Sequence, residues 1–176
     1  MRMRIAAVLA ALSAGMSASP LAFALAETAP PAKPSVNYWH LWTDARGRSH
    51  LTLCPMGSFL LQSMNKPADP QWQDRLTGSG RVIFTVQPAQ WNGAWHEDPT
   101  VQWVVPLDGA WFVKAQDGKR VEMGPGVVFL GEDQNTVPDA QGRKGHVSGN
   151  VGDGAVALMV VQTDAKPTKD EPCHVK

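Results

Sequence analysis

Short apolar stretches alternate with turn-forming residues over most of the chain. Runs of β-branched and aromatic residues that are bounded by glycine, proline, asparagine or aspartate are typical of β-strands. No long stretch shows the 3.6-residue period of an amphipathic helix. The pattern predicts strands at residues 37–43, 49–54, 58–64, 81–87, 101–107, 110–116, 119–123, 127–130, 145–151 and 155–162.

The connections between these strands contain clear turn signals. Asp117-Gly118 predicts a tight hairpin turn, because both residue types tolerate a positive φ. Gly124-Pro125-Gly126 predicts a second sharp reversal. The stretch 66–76 contains two prolines and predicts a loop with at most one helical turn.

Two of the predicted strands, 82–86 and 156–161, are apolar at successive positions and therefore on both faces. A single sheet with one face in water would not need this composition. Two packed sheets or a closed barrel would bury both faces. The sequence therefore predicts an all-β fold, either a sandwich or a jelly roll.

The two ends of the chain differ from this pattern. Residues 1–26 carry an N-terminal positive charge, an apolar run and small residues at the end, as a secretory signal peptide does. Residues 27–35 are proline-rich and predict an extended linker, and residues 164–176 predict a mobile tail unless Cys173 anchors it. The predicted domain is 36–163, and we expect the mature protein in a bacterial periplasm or secreted.

Charge and cysteine content narrow the function classes. The chain has 16 basic and 16 acidic residues, and loss of Arg2 and Arg4 with the signal peptide leaves a slight negative excess. Such a chain offers no basic surface for nucleic acid, and after signal removal no segment is apolar enough for a membrane span. Cys54 and Cys173 either form a disulfide or remain free thiols, and the sequence leaves both alternatives open.

Residues 95–103, WHEDPTVQW, carry the candidate chemistry. Residues of equal parity share one face of a strand, so His96, Asp98 and Gln102 project together if Pro99 introduces no bulge. Imidazole and carboxylate ligands suit Fe, Mn, Ni or Zn, whereas an amide oxygen is a weaker ligand. The segment predicts a metal site, although Asp98 could instead belong to a turn, because Asp-Pro favours one.

The same region resembles the first motif of the cupin superfamily. Gly93 leads the motif, two residues closer to the first histidine than in the family pattern. His96 stands at the first histidine, Asp98 at the second, Gln102 at the glutamate and Gly109 at the closing glycine. The departures from the family pattern therefore lie at the ligand positions themselves.

A second stretch is similar to the other cupin motif. Residues 126–130 supply its glycine turn and strand, but the histidine is missing at the usual distance. Residues 131–133 and 142–146 resemble a branch of cupins in which an acidic pair precedes a Gly-Lys-Gly-His run. In that comparison His146 is the second-motif histidine, and residues 134–141 lengthen the run that leads to it.

The resemblance implies a cupin-like jelly-roll β-barrel in which His96 and His146 face one another across the interior. It also implies a pocket that binds a small molecule and a divalent metal, Fe, Mn, Ni or Zn. The alternative is a metal-free pocket lined by two hydrogen-bonded histidines. The expected metal-site residues are His96, Asp98, Gln102 and His146, and the expected ligand-pocket residues are Trp91, Val104, Lys144 and Ser148.

These residues do not determine whether the protein is an enzyme or a binding protein. With a metal, the pocket would support Lewis-acid or dioxygen chemistry. Without one, the protein would be a binding module that recognises its ligand by aromatic contact and a few hydrogen bonds. A third alternative is a structural homodimer, because cupin sheets often pair through their edges.

Other charged residues have simpler interpretations. Glu132 and Asp133, together with Arg143 and Lys144, predict an exposed ion-pair cluster in a loop, with a cation or substrate rim as the alternative. His40 lies in the first predicted strand and is expected at the surface or at a sheet edge.

Overall fold

The computed structural model describes residues 32–76 and 78–176, and residues 32–176 belong to one compact unit. The predicted signal peptide and most of the linker lie outside the described residues. Within the described residues the structure is all-β, as predicted, and no helix there could cross a membrane. The strands are β1 (Val36–Thr43), β2 (Ser49–Met56), β3 (Leu60–Gln62), β4 (Gln71–Gln73), β5 (Gly80–Gln87), β6 (Gln102–Asp108), β7 (Trp111–Ala115), β8 (Arg120–Met123), β9 (Val128–Glu132), β10 (His146–Asn150) and β11 (Val156–Thr163).

Strand β4 corrects one prediction. It lies inside the stretch 66–76, which the sequence predicts as a loop, and it pairs with β3 so that Trp72 stands opposite Leu61. A strand of three residues is too short to show an alternating pattern, and prolines on its N-terminal side favour a loop. The other predicted strands are present, although the one at 58–64 is shortened to Leu60–Gln62.

Two sheets enclose the main core. The six-stranded sheet has the order β2-β1-β9-β6-β11-β5, and the three-stranded sheet has the order β10-β7-β8. Neighbouring strands are antiparallel, except that β1 pairs with β9 in parallel. The packing of two sheets through a shared apolar core agrees with the predicted jelly-roll class.

The core between the two sheets follows the alternation of the sequence. In β7 the side chains of Trp111, Val113 and Ala115 are buried and the residues between them are only partly buried. The rings of Trp111 and Phe129 meet edge to face with centroids 5.3 Å apart, so one contact joins the two sheets. The buried members of this core also include Leu41, Leu51, Val104, Val121, Met123, Val156 and Leu158.

A second apolar cluster holds the C-terminal tail. Tyr38, Cys54 and Leu130 are buried there, and Cys173 and Val175 of the tail pack on them. A disulfide joins Cys54 to Cys173, and the Tyr38 hydroxyl donates a hydrogen bond to the Val175 carbonyl at 3.0 Å. The tail is therefore anchored to the six-stranded sheet.

Strand β5 corrects the prediction that both faces of 82–86 are buried. Val82, Phe84 and Val86 are 58, 71 and 67% exposed, respectively. In the described chain β5 is an edge strand that pairs only with β11, and no described element covers these three side chains. An apolar sequence shows that a face of a strand can be buried, but it does not show whether another element covers that face. The homodimer proposed from the sequence stays a prediction.

The predicted turn at Asp117-Gly118 joins β7 to β8. Gly118 has a φ of 92° and donates its N–H to the Ala115 carbonyl at 3.1 Å. The Asp117 carboxylate accepts the N–H of Lys119 at 2.8 Å. Ala115 donates its N–H to the Lys119 carbonyl at 2.9 Å, so three residues rather than two lie between this bonded pair, and of these only Gly118 has a positive φ.

Candidate functional site

Backbone pairing brings His96 against β10. The N–H of His96 donates to the His146 carbonyl and the N–H of His146 donates to the His96 carbonyl, each at 2.8 Å. The two imidazole rings have centroids 4.4 Å apart. Gly145 has a φ of 75°, and a Cβ there would clash with the His96 carbonyl. The two histidines thus lie side by side rather than across the interior as expected.

Pro99 lies between His96 and the start of strand β6. Strand β6 begins at Gln102, so residues 96–101 do not form one continuous strand with it. His96 is exposed, whereas Asp98 is only 5% exposed. His96 and Asp98 therefore differ in burial, and the regular alternation assumed for residues 96–102 is interrupted at Pro99.

Three buried ionisable side chains form the centre of the site. Asp98, Asp133 and His146 are 5, 0 and 2% exposed, and each offers one ligand atom within 4.8 Å of the other two. Asp133 Oδ2 accepts a hydrogen bond from His146 Nδ1 at 2.8 Å, and Asp133 Oδ1 accepts the N–H of Asp98 at 2.8 Å. Asp133 therefore positions both of the other residues.

The carboxylate of Asp98 has one satisfied and one unsatisfied oxygen. Oδ1 accepts a hydrogen bond from Gln102 Nε2 at 2.5 Å, and the Gln102 oxygen accepts one from Gln162 at 3.1 Å. Oδ2 is buried and has no hydrogen-bond partner among the described residues. A Cβ at position 131 would clash with this oxygen, so Gly131 makes room for it. Gln102 orients Asp98, and Oδ2 remains available to a ligand.

Burial and charge shift the pKa values of this cluster. Burial is the largest cause that raises the pKa of Asp98, to about 7, and the charge of Asp133 adds to it. Burial alone would lower the pKa of His146. The negative charges of Asp98 and Asp133 and the hydrogen bond from Asp133 outweigh burial and raise the pKa of His146 to about 9. At neutral pH an imidazolium therefore lies beside two acidic groups.

The hydrogen bonds of the two histidines fix the nitrogen that each could offer to a metal. His146 Nδ1 bonds to Asp133, and His96 Nδ1 donates to the Ala94 carbonyl at 2.7 Å. Among the described residues no hydrogen bond reaches Nε2 of either ring. A ligating histidine usually donates its other ring N–H to an oxygen acceptor in this manner.

A second cluster lies on the other side of β9. His40 and Glu132 are 0 and 1% exposed, and His174 of the tail contacts them. Glu132 Oε2 accepts hydrogen bonds from His40 Nε2 at 3.0 Å and from His174 Nε2 at 2.6 Å. Its other oxygen accepts the N–H of Thr168.

The proton positions of this second cluster do not favour a metal. The N–H of Cys173 donates to His40 Nδ1 at 3.2 Å, so the neutral ring carries its proton on Nε2 and has no lone pair there. Burial lowers the pKa of His40 and thereby favours this neutral form. Burial alone would raise the pKa of Glu132, but the hydrogen bonds from His174, His40 and Thr168 lower it to about 2. The cluster is best described as a structural ion pair that holds the tail.

These positions correct two predictions. Glu132 and Asp133 are buried and bonded to histidines, so they do not form an exposed ion-pair cluster with the residues at 143 and 144. Lys144 instead pairs with Glu97 at 2.6 Å. His40 is fully buried rather than at the surface, because the tail covers it.

The residues predicted to line the ligand pocket lie in different environments. Ser148 is buried on β10 two residues from His146 and therefore on the same face. Val104 belongs to the apolar core. Trp91 is half-buried and its carbonyl accepts the N–H of Asn150, whereas Lys144 is exposed. Ser148 is thus the member of this set that lies beside the histidines.

Comparisons with known proteins give a fold-level likeness. No protein-family model matches the chain, and no curated protein matches it significantly. A cupin domain of Cnp3 from Schizosaccharomyces pombe is 16% identical, with a TM-score of 0.36, over 76% of this chain and 86% of that one. The protein NMB1881 from Neisseria meningitidis is 11% identical, with a TM-score of 0.32, over 52% of this chain and 89% of that one. At these identities the likeness concerns the fold alone.

Proposed function

We propose that this protein is a ligand-binding jelly-roll protein whose site, formed by Asp98, Asp133 and His146, binds a divalent cation. The observation that carries the proposal is the buried Asp98 Oδ2, which has no hydrogen-bond partner in the described chain. A buried polar oxygen without a partner costs about 1–3 kcal/mol. A cation bound beside this oxygen would remove that cost.

The donor set fits such an ion. Two carboxylates and one imidazole suit Mn, Fe, Ni or Zn. Their candidate ligand atoms already lie within 4.8 Å of one another. The exposed ring of His96, adjacent to His146, would supply a further nitrogen and a side from which a small molecule could approach. When bound, the ion would supply Lewis acidity.

A metal-free binding site is the second candidate, and one observation favours it. The raised pKa of His146 makes this ring cationic at neutral pH, so it can neutralise the carboxylates without a metal. Proton and metal would then compete for the same atoms, because a ligating imidazole must lose its proton. Metal affinity is therefore expected to rise as the pH increases from about 6 to 9.

Metal content and calorimetry test this proposal. We expect near-stoichiometric Mn, Fe, Ni or Zn in the purified protein, or saturable binding of Mn²⁺ and Zn²⁺ to metal-depleted protein, stronger at pH 8 than at pH 6. Asp98→Asn and His146→Gln are each expected to weaken binding by at least about tenfold, the loss of one ligand. Asp153→Asn, in an exposed turn, is the matched control and should bind as the unsubstituted chain does.

The stability of Asp98→Asn separates a lost ligand from a damaged fold. Because the pKa of Asp98 is raised from 3.8 to about 7, its contribution to stability is lost as the pH rises through that range. The substituted amide has no charge to bury, but it also removes the carboxylate beside the His146 imidazolium. A cooperative denaturant transition of the variant at pH 8 is therefore the required evidence that it is folded. Unchanged metal binding in this well-folded variant, or no binding by the unsubstituted protein at pH 8, would favour the metal-free alternative.

We also propose that the mature protein lies outside the cytoplasm. The N-terminal sequence and the disulfide between Cys54 and Cys173 support this location, because structural disulfides persist in oxidising compartments. Expression of the full chain in a Gram-negative host should give a periplasmic product that lacks about the first 26 residues. Mass spectrometry of the periplasmic fraction measures the mature mass, and an uncleaved cytoplasmic product would contradict the assignment.

A further inference from the structure

A cavity of about 400 Å³ lies between the β1–β2 turn and the long loop from β9 to β10. Three arginines line this arginine cavity, Arg46, Arg48 and Arg143, and Asp139 is the single acidic residue among its lining residues. It contains none of the residues of the proposed metal site. Its positive charge points to a negatively charged ligand.

The wall of the cavity is the part of the chain that lengthens the second cupin-like motif. Residues 137–141 and Arg143 line it, and this loop connects Asp133 to His146. Asp139 orders the loop by accepting the N–H groups of Gln141 and Arg143, both at 2.9 Å. The inserted residues therefore form a defined surface.

The opposite wall is a rigid turn. Asp44 Oδ1 accepts the N–H groups of Arg46 at 2.9 Å and of Arg48 at 2.8 Å. The N–H of Val137 donates to the Gly47 carbonyl at 2.8 Å, and this bond fixes the turn to the inserted loop. Gly47 has a φ of 81°, and any Cβ there would press on Val137. The backbone positions of the two arginines are thus set before a ligand arrives.

The buried residue Gln116 also lines the cavity. Its oxygen accepts the N–H of Ser49 at 3.0 Å, and its amide nitrogen donates to the carbonyls of Val137 and Arg143, each at 2.8 Å. This one side chain ties β2 to the inserted loop. A preorganised cavity loses less conformational entropy when it binds a ligand.

The three arginines differ in the ion pairs and hydrogen bonds that their guanidinium groups make with the described residues. Arg143 pairs with Asp139 at 2.7 Å, and its guanidinium lies 5.1 Å from the centre of the Trp95 ring. Arg48 donates one hydrogen bond to the Gln116 carbonyl at 3.0 Å. The Arg46 guanidinium makes no hydrogen bond to any described residue. Two of the three positive charges are therefore left without a carboxylate partner in the described chain.

We propose that the arginine cavity binds a small oxyanion, a phosphate or carboxylate group carried by a molecule of about sugar-phosphate size. Guanidinium groups bind both oxyanions through paired N–H donors, which gives charge-assisted hydrogen bonds. A volume of about 400 Å³ falls within the usual range for small-molecule pockets. This site is independent of the proposed metal site, so either can fail without the other.

Isothermal titration calorimetry on the mature protein tests the proposal with inorganic phosphate, glucose 6-phosphate and citrate. We expect saturable binding of at least one probe, weakened by added salt. Arg46→Gln and Arg48→Gln should each weaken it about tenfold, the loss of one charge-assisted hydrogen bond. The preferred probe distinguishes a phosphate from a carboxylate ligand.

The matched control is Arg81→Gln, an exposed arginine on β5 that bonds only to Gln162 in the described chain. It should bind the probes as the unsubstituted protein does. Equal weakening in Arg46→Gln and Arg81→Gln would show general charge screening and would overturn the proposal. Absence of saturable binding by the unsubstituted protein would overturn it as well. Since Arg46 is exposed, its replacement should leave the thermal midpoint unchanged.

Discussion

Replacing both Cys54 and Cys173 by serine is expected to lower the free energy of unfolding by about 4 kcal/mol. The disulfide closes a segment of 119 residues, and a cross-link over that length restricts the unfolded chain by roughly this amount. The loss should be accompanied by release of the tail, because Val175 and His174 would no longer be tied to the sheet. Guanidinium denaturation, followed by tryptophan fluorescence, measures the difference.

The single variants provide the control for this experiment. Cys54→Ser and Cys173→Ser should each lose as much stability as the double variant, because one cysteine cannot form the bridge. Hydrogen exchange should be faster in all three at Thr168 and Asp170, whose N–H groups donate to the Glu132 carboxylate and to the Thr43 carbonyl. A double variant within about 0.5 kcal/mol of the unsubstituted protein would contradict the expected role of the bridge.

Glu132→Gln is expected to cost about 3 kcal/mol at neutral pH. Glu132 accepts hydrogen bonds from two histidines and one backbone N–H, and glutamine offers only one acceptor oxygen and no charge. The pKa of Glu132 is lowered from 4.5 to about 2, which corresponds to a contribution of about 3 kcal/mol. That stabilisation is fully present above pH 4.5 and is lost as the pH falls to about 2.

Denaturation at a series of pH values measures this effect. The unsubstituted protein should lose stability between pH 4.5 and 2, and Glu132→Gln should lack this part of the profile. Glu122→Gln, an exposed residue on β8, is the matched control and should retain it. Parallel acid profiles for Glu132→Gln and the unsubstituted chain would show that other groups determine the acid sensitivity.

The strands could be predicted from sequence because burial alternates along them. In β7 every second residue is buried, and this regular pattern is what a two-residue period detects. The exposed face of β5 has the same apolar composition as a buried one, so composition could not show that Phe84 lies at the surface. Coverage of a face depends on distant elements, which local patterns do not encode.

The candidate site was only partly predictable for a related reason. His96, Asp98, Gln102 and His146 could be selected by residue type and by resemblance, and the structure brings the last three to one buried network through Asp133. The sequence predicts Asp133 at the surface, because an acidic pair beside basic residues is usually solvated. The one available signal was Gly131, whose missing side chain makes room for Asp98.

The buried position of His40 could not be predicted, because its partners are distant in the sequence. Glu132 is 92 residues away in sequence, and Cys173 is 133 residues away. A histidine within an apolar strand is compatible with either a surface or a buried position until its partners are known. The tail sequence, charged and proline-rich, gave no sign of docking apart from its cysteine.

Consecutive carboxylates at the end of β9 point to opposite sides of the sheet, Glu132 to the tail and Asp133 to His146. A deletion of one residue within β9 would move Asp133 to the place of Glu132, facing the tail, and Gln134 to the place of Asp133. His146 would then lose its carboxylate partner, and His40 and His174 would meet a carboxylate that is one methylene shorter, so one change would disrupt both clusters. The length of this strand should therefore be among the least variable features of the protein in its relatives.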